Sequence, residues 1–177
     1  MAGPRRGSRS TGSAPPERTP EEQRAYAKER ALRLLTVRPR SRSELTDRLL
    51  RIGTEPDVVD GVLADLERVG LVDDRAFARD LVAARAEGRL EGSRAIRSAL
   101  HAKGVPADVA EAAMAEGGAP EEERAHELAR RRAGRLRSLP PEKAYARLMG
   151  LLQRRGHGYG VASAAARRAL AIDPAED

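Results

Sequence analysis

The chain has 177 residues, of which 40% are apolar and only 2% aromatic, with no Cys or Trp and a formal net charge of +6. That composition excludes a disulfide framework and a thiolate metal site, and no apolar run approaches the roughly 20 residues of a membrane span. An apolar set made mostly of Ala, Leu and Val predicts helices rather than one large globular core.

Residues 1–19 are rich in Gly, Pro, Ser and Arg and predict a disordered basic tail that buries too little surface to offset its ordering entropy. No secretory apolar segment follows Arg5 and Arg6. Order is expected to begin at "TPEEQRAYAKERALRLL", with Thr19 as N-cap, Pro20 at the first helical position and Glu22 closing a capping box. The next helix starts at "SRSE", a second capping box with Ser41 as N-cap and Glu44 at N3, and ends at Gly53. In "PDVVDGVLADLERVG", Val58, Val62, Leu66 and Val69 form one stripe.

The stretch "GLVDDRAFARDL" (70–81) then pairs two acids with the only Phe of the chain. Asp73 reads as an N-cap and Asp74 as the first helical residue, suited to the macrodipole. Val72 against Phe77 reads as a hydrophobic staple, with Phe77 and Leu81 facing the core. No His lies nearby in sequence, so a helix start is the expectation rather than a metal or acid–base site. Further on, "AIRSALHAKG" closes at Gly104, with Val105 expected to pack on Leu100, and "RLMGLLQRRG" closes at Gly156. The "GHGYG" that follows is read as a cap and turn, because a phosphate-binding Gly loop needs a preceding strand.

The three closing glycines stand 51 and 52 residues apart. Eight positions before them lie Leu45, Ile96 and Leu148; four before, Leu49, Leu100 and Leu152. Five after lie Val58, Val109 and Val161; nine after, Val62, Ala113 and Ala165. A unit of about 50 residues is therefore used three times. The predicted fold is all-α: three tandem three-helix, helix-turn-helix-like repeats over 20–70, 71–117 and 118–172, with an acidic tail at 173–177. A lone unit of this size is marginal, so the units are expected to stack side by side as an elongated, curved molecule.

Charge is uneven: residues 1–20 carry net +3, 21–72 net 0, 73–117 net −1 and 118–177 net +4. Arg38, Arg40 and Arg42 run into a helix start, where anions are attracted. Arg51, Lys103, Arg154 and Arg155 recur just before the three glycines. In "ELARRRAGRLRSL", Arg130, Arg131, Arg135 and Arg137 lie off the apolar stripe of Ala125, Leu128, Ala129, Ala133 and Leu136. With four aromatics there is no stacking platform, so nucleic-acid contact is expected through phosphates and to be salt-sensitive. No nucleophile–base pair, metal cluster or phosphate loop is present in the sequence, so neither enzyme activity nor a cofactor is expected.

The segments "ALRLLTVRPRSRSELTDRLLRIG", "GLVDDRAFA" and "RAIRSALHAKGV", in this order and spacing, resemble the regulatory protein RecX family. The matching parts run over 30–53, 70–85, 94–105 and 148–156. The resemblance implies a small cytoplasmic modulator, expected to be a monomer. It would bind the RecA recombinase filament and single- or double-stranded DNA, mainly restraining ATP hydrolysis, filament growth and strand exchange. The residues expected to make those contacts are the cations above with Arg85 and Arg94, leaving Arg137 aside. A helix-turn-helix-like regulator acting directly on DNA is the alternative. Against it, no helix presents a base-reading face rich in Asn, Gln and Arg. The Gly- and Ala-rich "GHGYGVASAAARRAL" and the basic tail depart from the family pattern.

Overall fold

A computed structural model describes residues 19–172. All but Thr19 of the tail read over 1–19, and the acidic tail at 173–177, lie outside them. Among the described residues the chain forms nine α-helices and one short 3₁₀ turn, with no strand. These are α1 (Pro20–Val37), α2 (Arg42–Leu50), α3 (Pro56–Arg68), α4 (Asp74–Arg89), α5 (Ser93–Ala102), α6 (Ala107–Glu116), α7 (Glu121–Ala133), the 3₁₀ turn (Gly134–Leu136), α8 (Pro141–Arg154) and α9 (Tyr159–Leu170). None is long and apolar enough to cross a membrane.

Each successive triplet buries its own core. Leu45 and Leu49, Ile96 and Leu100, and Leu148 and Leu152 are fully buried, one pair at the centre of each cluster. The closing glycines explain the register. Gly53, Gly104 and Gly156 take φ of +81°, +65° and +88°, the left-handed region that favours Gly. In every unit the second residue of the turn donates its N–H to the buried Leu: Thr54 to Leu49, Val105 to Leu100 and His157 to Leu152, at 3.1–3.3 Å. This is the Schellman arrangement, and all three donors are themselves buried.

Three local expectations change. In α3 the buried stripe is Val59, Val62, Leu63 and Leu66, while Val58 is only partly buried and Val69, at the helix end, is exposed. A helix wedged against two partners buries a wider face than one stripe. Val72 does not staple Phe77: it sinks into the first core, whereas Phe77 packs on the second. The Ser41 box is half formed, because Ser41 Oγ accepts from the Glu44 amide while the Glu44 carboxylate turns to Arg38 and Lys103. The Thr19–Glu22 box is complete.

The units do not merge their cores side by side. They join end to end, through the second helices. The α5 C-terminus sits on the α2 N-terminus: the fully buried Ser41 hydroxyl donates to the Lys103 carbonyl at 2.5 Å. The α8 C-terminus sits on the α5 N-terminus: the Gly92 and Arg94 amides donate to the Arg155 and Gly156 carbonyls at 2.8 and 3.3 Å. Negative helix ends thus meet positive ones, in reverse chain order. The approach is close enough to require Gly. A Cβ on Gly104 would stand 2.1 Å from Ser43 Oγ, one on Gly156 2.4 Å from Ala95, and one on Gly92 2.2 Å from the Gly156 backbone.

A carboxylate clasps each joint. Asp73 caps its own helix, accepting from the Arg75 and Ala76 amides at 2.9 and 3.0 Å. Asp74 caps the neighbour's, accepting from the Arg42 amide at the start of α2 at 2.8 Å. Glu121 holds the corresponding place at the start of α7. Burial pushes its carboxyl up, but the Ser93 side chain and backbone and the Gly158 amide outweigh it and hold it below the ordinary range. Lys103 adds an ion pair to Glu44 at 2.7 Å across the first joint. Across the second, buried Arg124 donates to the Glu91 carbonyl at 3.0 Å and buried His157 Nε2–H to the Leu90 carbonyl at 3.0 Å. Leu90 itself, at the end of α4 with φ +50°, plugs into the third core. No such joint leaves α8 at its start, where Pro140 and Pro141 offer no N–H.

Asp73→Ala and Asp74→Ala are each expected to lower stability by about 1 kcal/mol. Only the second should speed amide exchange at Arg42, and an unchanged Arg42 amide would contradict the clasp. Burial raises the Glu44 carboxyl, but hydrogen bonds and charge from Arg38 and Lys103 prevail and hold it at about 2. A carboxyl whose pKa falls on folding adds stability above its ordinary value and loses it as pH drops toward the folded one. Denaturant titrations from pH 5 downward should therefore show a flatter loss of stability in Glu44→Gln than in the natural chain.

Candidate anion-binding site

The cations singled out by sequence divide sharply once their partners are known. Arg38 pairs with Glu44 at 2.7 Å, and that hydrogen bond raises its pKa further. Arg40 Nε donates to the Leu34 carbonyl at 3.3 Å. Arg42 pairs with Asp60 at 2.9 Å and Glu67 at 3.3 Å. Arg85 holds buried Glu91 at 2.7 Å, Lys103 holds Glu44, and Arg130 and Arg131 share Glu127 at 2.8 and 2.7 Å. That double pairing holds the Glu127 carboxyl at about 2. Arg94 and Arg155 reach the carbonyls of Gln153 and Arg89, at 3.4 and 2.9 Å. Of the twelve, only the side chains of Arg51, Arg135 and Arg154 make no ion pair or hydrogen bond among the described residues.

Two of these three come together, with two arginines that the sequence reading passed over. Arg132 and Arg135, from the end of α7 and the 3₁₀ turn, face Arg147 and Arg154 of α8 across a groove of about 550 Å³. Helical spacing places them. Arg147, Gly150, Leu151 and Arg154 fall at i, i+3, i+4 and i+7 on one face of α8; Arg132, Arg135 and Leu136 follow the same pattern opposite. Neither Arg132 nor Arg147 has a partner among the described residues, and no carboxylate lines the groove. Its floor is aliphatic, with partly buried Leu136 and Leu151 over buried Leu148.

Gly150 lies inside α8, where Gly costs about 1 kcal/mol relative to Ala. It needs no unusual φ, and the nearest neighbour its Cβ would meet is the flexible tip of Arg154, at 3.1 Å. Its effect is to leave the floor open. A second basic groove, sharing Arg132, runs into the joint between the second and third units past Arg89, Arg131 and Arg155. Its one carboxylate, Glu91, is taken by Arg85 and Arg89.

Four guanidiniums held together without a counter-charge repel one another and attract an anion. The i, i+3, i+4, i+7 pattern of α8 was the sequence signal for this face. Asp73 and Asp74, by contrast, are both taken up by helix amides.

Comparisons with known proteins agree with this architecture. The family models for the first, second and third three-helix domains of RecX match residues 27–66, 73–114 and 120–165. The Regulatory protein RecX of Thermobifida fusca is 40% identical over 159 residues, covering 89% of this chain and 85% of that protein. That of Mycobacterium ulcerans is 41% identical over 156 residues, covering 86% and 90%. The crystal structure of RecX from Lactobacillus salivarius superposes with a TM-score of 0.75 at 20% identity, over 84% of this chain and 97% of that one. A second crystal structure of a regulatory protein RecX gives 0.71 at 27% identity, over 80% and 71%. Three repeats joined in this order, with relatives alike over most of their length, place the chain in the RecX family of regulatory proteins.

Proposed function

We propose that the protein binds the RecA recombinase filament on DNA in the bacterial cytoplasm and restrains it. It would slow ATP hydrolysis, filament growth and strand exchange, acting as a monomer. Membership of the RecX family over nearly the whole chain carries this reading. A row of three units with separate cores suits contact with several subunits of a helical polymer at once. Lying along such a polymer, it would oppose the subunit movements that turnover requires.

Of the twelve cations expected to face RecA and DNA, Arg51, Arg135 and Arg154 are free to do so without breaking an internal pair. Recruiting Arg38, Arg42, Arg85 or Lys103 would strip a carboxylate of its partner, and for Glu91 that carboxylate is buried. Where such a cation meets DNA, the contact would be salt-sensitive and indifferent to base sequence.

The test adds the purified protein to RecA on single-stranded DNA and follows ATP hydrolysis with filament length. Hydrolysis should slow and filaments shorten at amounts below one per RecA subunit. No change at equimolar protein would contradict the reading. Charge reversal at Arg135 and Arg154 should weaken the effect more than reversal at Arg130 and Arg131, whose charge Glu127 already offsets.

A further inference from the structure

We propose that the groove between α7 and α8 binds an acidic peptide segment that carries a large apolar side chain. The four arginines around it, Arg132, Arg135, Arg147 and Arg154, have no acceptor among the described residues, and no acid lines the cleft. An anion is the complementary ligand. The floor decides which kind. It is built from Leu136 and Leu151, and Gly150 keeps it open at the point where any other residue would fill it. A phosphodiester backbone gains nothing from an aliphatic floor, and bases stack on aromatic rings, of which the groove has none. A peptide fits both features at once: its carboxylates meet the guanidiniums and its apolar side chain covers the leucines.

This deepens the filament reading and rests on it only for where the segment comes from: an exposed acidic, apolar-tipped stretch of a protein on the filament. The peptide interaction itself needs no recombinase.

The test measures fluorescence anisotropy of a labelled Asp-Glu-Asp-Asp-Leu-Phe peptide with the full chain, beside Asp-Glu-Asp-Asp-Ser-Ser and a thymidine oligonucleotide. The Leu-Phe peptide should bind about tenfold more tightly than the Ser-Ser peptide. Arg147→Glu with Arg154→Glu should weaken it by about tenfold or more, and Arg167→Glu with Arg168→Glu on α9 should change it little. Gly150→Leu should remove the preference for Leu-Phe while leaving binding of the Ser-Ser peptide as it was.

Thermal melts serve as the fold control. Should Gly150→Leu melt early, Gly150→Ala adds one methyl to the floor while favouring the helix, and it should reduce the same preference. Equal binding of the two peptides would overturn the proposal, as would groove substitutions that abolish oligonucleotide binding and leave the Leu-Phe peptide untouched. Restraint of RecA without peptide binding overturns the groove alone. Peptide binding without restraint overturns the filament reading alone.

Discussion

A left-handed glycine turn set against the start of a helix in the preceding unit is the contact on which this molecule depends. The turn first ends a helix, which is local work that Gly does more cheaply than any other residue. At Gly104 and Gly156 it does a second thing, bringing the helix end so close to Ser43 and Ala95 that no Cβ could stand between. The carbonyls at that end accept from the start of the helix they abut, through the Ser41 hydroxyl in one joint and the Gly92 and Arg94 amides in the other. Two helix termini that would each need water satisfy one another.

The arrangement accounts for how the chain can have three small cores and still hold one order. Each core is built mainly from its own unit; Val72 reaches back into the first, and Leu90 crosses from the end of α4 into the third. What passes between units is mostly polar: a clasp from Asp74 or Glu121, the Lys103–Glu44 pair, and Arg124 and His157 on backbone carbonyls. Such contacts are directional, so they set the angle and order of the units more than they add stability. On the third unit, four arginines free of internal pairs line one groove.

Much of this was legible in the residues. Leu45, Leu49 and their equivalents announce themselves because helical period and a closing Gly are local signals. Asp73 was readable as a cap for the same reason. Asp74 was not, because its partner, the Arg42 amide, lies 32 residues away and is a backbone group that no side-chain pattern marks. The pairing state of the arginines was hidden likewise: Arg42 is quieted by Asp60 and Glu67, and Lys103 by Glu44 across 59 residues. Composition marks a basic run without saying which of its charges are spent. Unit three was visibly basic, yet the groove needed the facing of α7 and α8 to bring Arg132 and Arg135 to Arg147 and Arg154.

The three closing glycines supply their own control. All have positive φ, so replacement by Ala imposes similar backbone strain, on the order of 1 kcal/mol, at each. Only Gly104 and Gly156 also press on a preceding unit; a Cβ on Gly53 would meet nothing within 4 Å. Equilibrium unfolding of Gly53→Ala, Gly104→Ala and Gly156→Ala should therefore show the strain cost alone at Gly53 and a clearly larger loss at the other two. Equal losses at all three would mean that the end-to-end joints do not hold the repeats together.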